Sequence, residues 1–450
     1  MRFIPYLTLA AAEALSVISS RQKLKRYLST PFYTNAYYML VNSGAAALMG
    51  FFFWLVAARF YTAGDVGLAS ATVSSVSFIA AIADMGLSIS LIRFLPAATN
   101  RLRLINTSFT VGVLASFLAG AIFLTGLHLW SPALLFVREN PLLALLFLLL
   151  LPISVVSVMG DRVFIALRMA KYGFIRHLVI IFEIPLVVAL ASRLHVAGIL
   201  VAAGAAIGLS VAVSLFVLLP RIQRGYFPWP SLQREYLRQT FGYSMGNHLS
   251  FLLLGTPSWI FPLLVVNLLG PEQNAYFYIS WTIGVSLAAV PSAISYSLFA
   301  EGTHDEKRLL HFAASALKLS LLLLVPAIAI IFVAGNSLLL LFGRAYSEEG
   351  LLLLRVLALS ALPGTFNTVY LTYKRVTKEV GSVLAISGVI ALLSLVAGYL
   401  LVPRLGLLGA GLGYLGAQTA VALWLGVNLY VRILSSRGRK AEKVEEHVSR

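Results

Sequence analysis

The chain has no cysteine, which excludes disulfide frameworks, thiolate metal sites and cysteine nucleophiles. Charge is also scarce: Asp, Glu, Lys and Arg make up 11% of the 450 residues, against about a quarter in ordinary soluble domains. The sequence contains neither a G-x-x-x-x-G-K-[ST] phosphate loop nor an H-E-x-x-H metal helix. A literal G-x-G-x-x-G runs from Gly411 to Gly416, but it lies inside an apolar run with no strand before it. Close helix packing explains those glycines better than a dinucleotide site. These absences leave no catalytic residue, cofactor or metal to nominate, and the chain is not expected to be an enzyme.

What is present is apolar. Hydrophobic residues make up 59% and mean hydropathy is +0.89, which places the chain among polytopic membrane proteins. The rule of about 20 apolar residues per crossing predicts spans at 35–59, 66–92, 106–130, 142–167, 174–193, 196–219, 240–268, 275–300, 310–334, 351–373, 380–402 and 407–433. Pro152, Pro185, Pro257, Pro262, Pro291, Pro326 and Pro363 fall inside these runs and are expected to kink them.

The formal charge is +17, and its position decides what it means. With the N-terminus inside, 27 of the 34 Lys and Arg residues fall on one membrane face and five on the other. That asymmetry predicts a multi-pass protein of the cell (cytoplasmic) membrane with both termini cytoplasmic. It also removes nucleic acid as a partner, because the charge is spread beside anionic lipid. Residues 1–30, with Arg21, Lys23, Lys25 and Arg26 after an apolar stretch, read as an interfacial amphipathic tail.

The two halves repeat. Leu134 to Arg138 recurs as Leu340 to Arg344, Pro152 as Pro363, Leu194 to Gly198 as Leu405 to Gly409, and the turn before Asp65 as Gly270-Pro271-Glu272-Gln273. The offsets lie between 206 and 211. Six spans per half give both halves the same orientation, a parallel repeat. The expected division is a tail (1–30), a six-helix bundle (31–224), a cytoplasmic linker (225–239), a second bundle (240–433) and a charged tail (434–450).

Polar residues inside the spans are few enough to take one by one. Ser70, Ser74, Ser77, Ala81, Asp84 and Ser88 follow at steps of three and four, one face of a helix. Shifted by 208, the stripe becomes Tyr278, Thr282, Val285, Ala289, Ser292 and Tyr296. Such a stripe serves helix packing or a wet cavity wall. Asp84 is the most informative ionisable group, since an intramembrane charge must face protein or water. Arg93 lies half a turn round from it, so Asp84 needs a partner on another span. Asp161 and Arg162 head a basic group with Arg168, Lys171 and Arg176, whose counterpart is Lys374, Arg375 and Lys378. That group reads as a lipid-facing cluster or as an entrance for an anionic headgroup. Glu183 is deep and has no local partner, and Asn247-His248 precede two prolines in a span expected to bend.

With these residues in view, the chain resembles the polysaccharide-export branch of the multidrug/oligosaccharidyl-lipid/polysaccharide (MOP) superfamily, the O-antigen-type flippases. The resemblance covers roughly residues 31–433. It rests on Ala58-Arg59-Phe60 with the turn to Asp65, Asp84-Met85-Gly86-Leu87 running to Arg93, Leu340 to Tyr346, and Gly406 to Ala410. It implies an all-α fold of about twelve transmembrane helices in two six-helix bundles, with a central cavity lined largely by spans one, two, seven and eight. It also implies alternating access for a polyprenyl-(di)phosphate-linked oligosaccharide. Peptidoglycan-precursor flippases carry an Arg-Asp pair in span one, where this chain has Phe51-Phe52-Phe53-Trp54.

Phosphate favours Arg or Lys, and sugar hydroxyls favour Ser, Thr, Asn and Tyr. The candidate cavity set is therefore Arg59, Ser70, Ser74, Ser77, Asp84, Arg93, Arg162, Asn247, His248, Tyr278, Thr282, Ser292 and Tyr296. Expected partners are a lipid-linked oligosaccharide, membrane lipids and a coupling ion, H+ or Na+. The alternatives are a cation-coupled multidrug exporter of the same fold and, further off, a membrane enzyme acting on lipid-linked sugar.

Overall fold

A computed structural model describes residues 31–304 and 308–448. The expected N-terminal amphipathic tail lies outside them. Every regular element among the described residues is a helix. Eleven stretches are long and apolar enough to cross a membrane, and a twelfth helix, Pro31–Phe60, is apolar from Gly44 to Phe60. Span one is that helix. Span two is Ala63–Asp84 with Leu87–Phe94, span three Arg101–Thr125 and span four Pro141–Ala166. Spans five and six are Ala170–Ala191 and Arg193–Ile222. Span seven is Arg234–Leu269, and span eight is Pro271–Ser286 with Ala289–His304. Spans nine to eleven are Leu309–Leu340, Arg344–Val376 and Val380–Leu405; span twelve opens the helix Leu407–Val448, which runs on through most of the charged C-terminal stretch.

Local chemistry sets the boundaries. Thr62 caps span two, its Oγ1 accepting from the Asp65 amide at 3.1 Å. Asn100 and Asn140 cap spans three and four in the same way, and Pro141 follows Asn140 at the first helical position. Span eight breaks at Leu287–Ala288. Pro291 therefore sits in the first turn of a new helix, where its missing amide costs little.

The repeat is written in the backbone. Arg168 (φ 57°) ends span four and Lys378 (φ 60°) ends span ten. Each turn is closed by the same amide-to-carbonyl bond, Met169 to Phe164 at 2.8 Å and Glu379 to Lys374 at 2.9 Å. Between spans five and six, His195 adopts φ 43°, ψ −134°. Gly406, between spans eleven and twelve, adopts φ 60°, ψ −142°. That region suits glycine, and in the first half a histidine is held there.

The large apolar side chains that face outward, such as Val333 at 85% exposure and Leu322 at 69%, form a belt too extensive for water and suited to lipid. Between the halves, packing replaces the hydrophobic effect as the cohesive force, so small residues matter. A Cβ on Gly67 would lie 1.7 Å from the Pro271 carbonyl oxygen. The two helix starts that the sequence aligns therefore touch each other directly. Asn274 donates across the contact to the Gly67 carbonyl at 2.7 Å and the Ser70 hydroxyl at 3.2 Å. Aromatic packing continues it, with Trp54 on Tyr278 and Phe51 on Phe342.

Candidate functional site

The end of the molecule carrying the Thr62 turn is tied shut. Arg59 donates from Nε to the Leu341 carbonyl at 2.6 Å and from Nη2 to the Leu340 carbonyl at 3.0 Å. A cation on the last carbonyls of span nine satisfies orphan acceptors and the helix dipole together. Arg59 is thus engaged in joining the halves and does not line the cavity described below.

At the opposite, basic end, spans two and seven meet around Asp84. Met85 (φ 49°) and Gly86 (φ 81°) turn the chain sharply after it. Gly86 is needed there, because a Cβ would sit 3.0 Å from that of Ser244. The Asp84 carboxylate accepts from the Ser88 hydroxyl and, at 3.2 Å, from the Ser88 amide. It thereby caps the short helix Leu87–Phe94. Its other oxygen faces His248 Nδ1 at 3.6 Å, and Arg162 is near enough to act on it electrostatically. Below this pair Ser90 and Ser244 share a hydrogen bond at 2.7 Å. Arg93 lies over the Tyr243 ring at 5.7 Å, and Phe94 packs on Tyr236 and Tyr243. The partner that Asp84 requires is on span seven, in the other half of the chain.

The span-two stripe faces protein in this conformation. Ser70 and Ser74 are buried and Ser77 is half-buried. Span eight behaves differently along its length. From Asn274 to Trp281 it is largely buried, whereas Ser286, Ser292, Tyr296 and Ser297 are exposed. Tyr278 packs on Trp54, and Thr282 bonds back to the carbonyls of Tyr278 and Ile279. Asn247 is half-buried beside His248. Of the thirteen candidates, the structure gathers Asp84, His248 and Arg162 into one neighbourhood; Ser292 and Tyr296 stand apart on the span-eight wall.

Beside that wall a cavity of about 350 Å³ opens inside the second half. Spans seven, eight, ten, eleven and twelve line it, and Ser292, Ser360, Asn367, Arg375, Tyr414 and Gln418 are among the residues supplying its polar atoms. Only Ser292 belongs to the candidate set read from the sequence. Arg375 was legible as one of three adjacent cations, but nothing in the sequence distinguishes it from Lys374. The structure does: Lys374 is buried and held by both Glu379 oxygens at 2.7 and 2.6 Å. Arg375 makes no hydrogen bond or ion pair among the described residues. The Lys374 ammonium also holds the Glu379 carboxyl, in the loop outside the spans, below the usual carboxylate range.

In the first half a guanidinium is buried between spans four and five. Arg176 is 2% exposed and donates to the Ser157 carbonyl and hydroxyl and to Asp161 Oδ2 at 3.0 Å. This corrects the sequence-based view of Arg176 as part of a basic group that faces lipid or admits an anionic headgroup: it is a buried strut between spans four and five. Glu183 is also buried, and it makes no hydrogen bond or ion pair among the described residues.

Comparison with known proteins fits this architecture. The fold matches an inward-facing multidrug resistance MATE family transporter of the MOP superfamily with a TM-score of 0.62 and 16% identity, covering 87% of this chain and 96% of that one. It matches the lipid II flippase MurJ, in an inward closed conformation, with a TM-score of 0.68 and 11% identity, covering 87% of each chain. An outward-facing MATE transporter matches at 0.59 and 16% identity, over 91% of this chain and 98% of that one. Identities this low speak for the fold alone. No curated protein sequence matches significantly. Residues 56–349 match the model of a family described as polysaccharide biosynthesis protein, and with most of both bundle cores inside that match, the chain belongs to this family and has the fold of MOP-superfamily transporters.

Proposed function

We propose that the protein is a flippase that carries a polyprenyl-(di)phosphate-linked oligosaccharide across the cell membrane by alternating access, supplying surface polysaccharide or glycan synthesis. One observation carries the reading. Asp84 is engaged by Ser88 and faces His248, and Asp161 is engaged by Arg176, while the charged residue among those lining the cavity is the cation Arg375. A site offering a free guanidinium and hydroxyls suits a phosphate-bearing sugar. A cationic drug would need free carboxylates facing it, which disfavours the exporter alternative. The family's description and the cargo named for the lipid II flippase of like fold lend support. Lys and Arg asymmetry supports a cytoplasmic location for the basic end and for both termini. The structure is then closed toward the outside at Arg59, Gly67 and Asn274, and open inward at Ser292 and Tyr296.

The test is reconstitution. Purified protein in liposomes should expose a fluorescent short-chain prenyl-diphosphate sugar to an external quencher and leave a cationic dye where it was. Movement of the dye without the glycolipid would overturn the proposal.

A further inference from the structure

We infer that the cavity inside the second half is a sugar-phosphate subsite: Arg375 takes the phosphate at its mouth, and Asn367, Ser360, Gln418 and Tyr414 take the adjoining sugar. The inference rests on the flippase reading and assigns to one half the recognition step left open there.

Three features of the cavity converge. First, it contains an acceptor waiting for a donor. Asn367 is 2% exposed, and its amide nitrogen donates to the Gln418 carbonyl at 2.9 Å and side-chain oxygen at 2.7 Å. Those bonds fix the side chain and leave Asn367 Oδ1 buried with no partner. An unpaired buried acceptor is costly, and a ligand hydroxyl would relieve it. The Ser360 and Thr368 hydroxyls donate to their own helix at 2.6 and 2.8 Å and so present lone pairs to the cavity. Second, the charge is of one sign. Arg375 is the one formally charged residue among the described residues lining the cavity, and neighbouring Lys374 is already neutralised by Glu379. A metal ion would want carboxylates, and a cationic solute would be repelled. Third, Tyr414 lines the cavity and is held edge-on against Trp281 at 5.0 Å. It offers an apolar ring face for the carbon side of a sugar. The volume of about 350 Å³ is at the small end for a ligand site. It suits the phosphate-proximal sugar and leaves the rest of the glycan in the opening.

Titration of the full-length protein in micelles free of anionic lipid tests this, with Trp fluorescence and calorimetry as readouts. The probes are glucose 1-phosphate, glucose and inorganic phosphate. Glucose 1-phosphate should bind at least tenfold more tightly than either fragment. Arg375→Gln should lose that tenfold and leave glucose binding unchanged, Arg375→Lys should recover part of it, and Gly364→Leu should abolish binding of all three by filling the space. Thermal unfolding of each variant checks that it is folded. No saturable binding of glucose 1-phosphate to the parent protein would overturn the inference. So would equal affinity in parent, Arg375→Gln and Gly364→Leu, or phosphatidylglycerol micelles displacing the probe while phosphate alone binds as well as sugar phosphate, which would mark a lipid-headgroup site. Flipping of the glycolipid, measured in parallel, separates the two claims. Normal flipping and probe binding in both variants would remove the subsite and leave the flippase. Arg375-dependent binding with no flipping by the parent would remove the flippase and leave the subsite.

Discussion

The interiors of the two halves are built from the same repeat and end up doing opposite things. In the first, a guanidinium is driven inside and neutralised: Arg176 fills the space between spans four and five with Asp161 and Ser157 around it. In the second, the polar pair is neutral, Asn367 with Gln418, and the space beside it stays open with Arg375 at its edge. Ser157 and Asn367 occupy corresponding positions, 210 residues apart. One half has become a strut and the other a receptacle. A duplicated bundle can specialise this way because a buried ion pair fixes helix positions, whereas a cavity with one free charge is available for binding.

The largest effect should come from breaking the strut. Arg176→Ala leaves the half-buried Asp161 carboxylate without its partner and is expected to cost about 3 kcal/mol, seen as a large drop in thermal midpoint in detergent. Arg375→Ala, chemically the same change in the other half, should cost less than about 0.5 kcal/mol while abolishing flipping. Equal destabilisation by both would erase the distinction between the halves. Next comes the tie between them. Gly67→Val places side-chain atoms against the Pro271 carbonyl and should pry the turn end apart. Because the chain has no cysteine, Ser70→Cys can be labelled without background. It should be inert to an impermeant maleimide alone and reactive when combined with Gly67→Val.

A smaller, opposite-signed effect is expected at His195, which holds a backbone conformation that its counterpart Gly406 adopts freely. His195→Gly should stabilise the fold by about 1 kcal/mol and bring the two halves closer in behaviour. Gly406→His should do the reverse. The smallest effect concerns pH. Glu379 is held below the usual carboxylate range by Lys374, so its contribution is present above the unfolded carboxyl value of about 4.3. It is lost as pH falls through the lower folded value. The pair is partly exposed, with 43% of the Glu379 side chain accessible, so the contribution is under about 1 kcal/mol. Thermal midpoints of the parent and Glu379→Gln should therefore differ slightly at neutral pH and converge in strong acid.

Much of this fold was legible before any coordinates. Each of the twelve apolar runs overlies one of the observed spans, although those at 66–92, 106–130, 174–193 and 275–300 cross helix breaks that periodicity did not show, and the aligned turn at Thr62 and Gly270 begins a helix in both halves. The paired breaks at His195 and Gly406 sit where the recurring Leu194 and Leu405 segments place them. The site was less legible. The stripe of span-two serines showed correctly that one face was special, but periodicity cannot say whether that face meets water or another helix. Here Ser70 meets Asn274. Arg59, exposed by sequence logic and available for cargo, turned out to cap span nine 281 residues away. Asn367 and Gln418 carried no signal at all, being isolated amides in apolar runs.

Composition and run length by themselves determined that this chain crosses a membrane many times, and the order of its small and turn-forming residues determined that it does so as a repeat. Those properties follow from local physics: about 20 apolar residues span a bilayer, and glycine or a capping hydroxyl ends a helix wherever it stands. Only the tertiary structure decided which charges are spent and which are free. Asp84 finds His248 on another helix, Asp161 finds Arg176, Lys374 finds Glu379, and Arg375 has no hydrogen bond or ion pair among the described residues. Partnership between helices depends on their rotation and crossing. Those are set by packing summed over the whole bundle, and no window of sequence contains that sum.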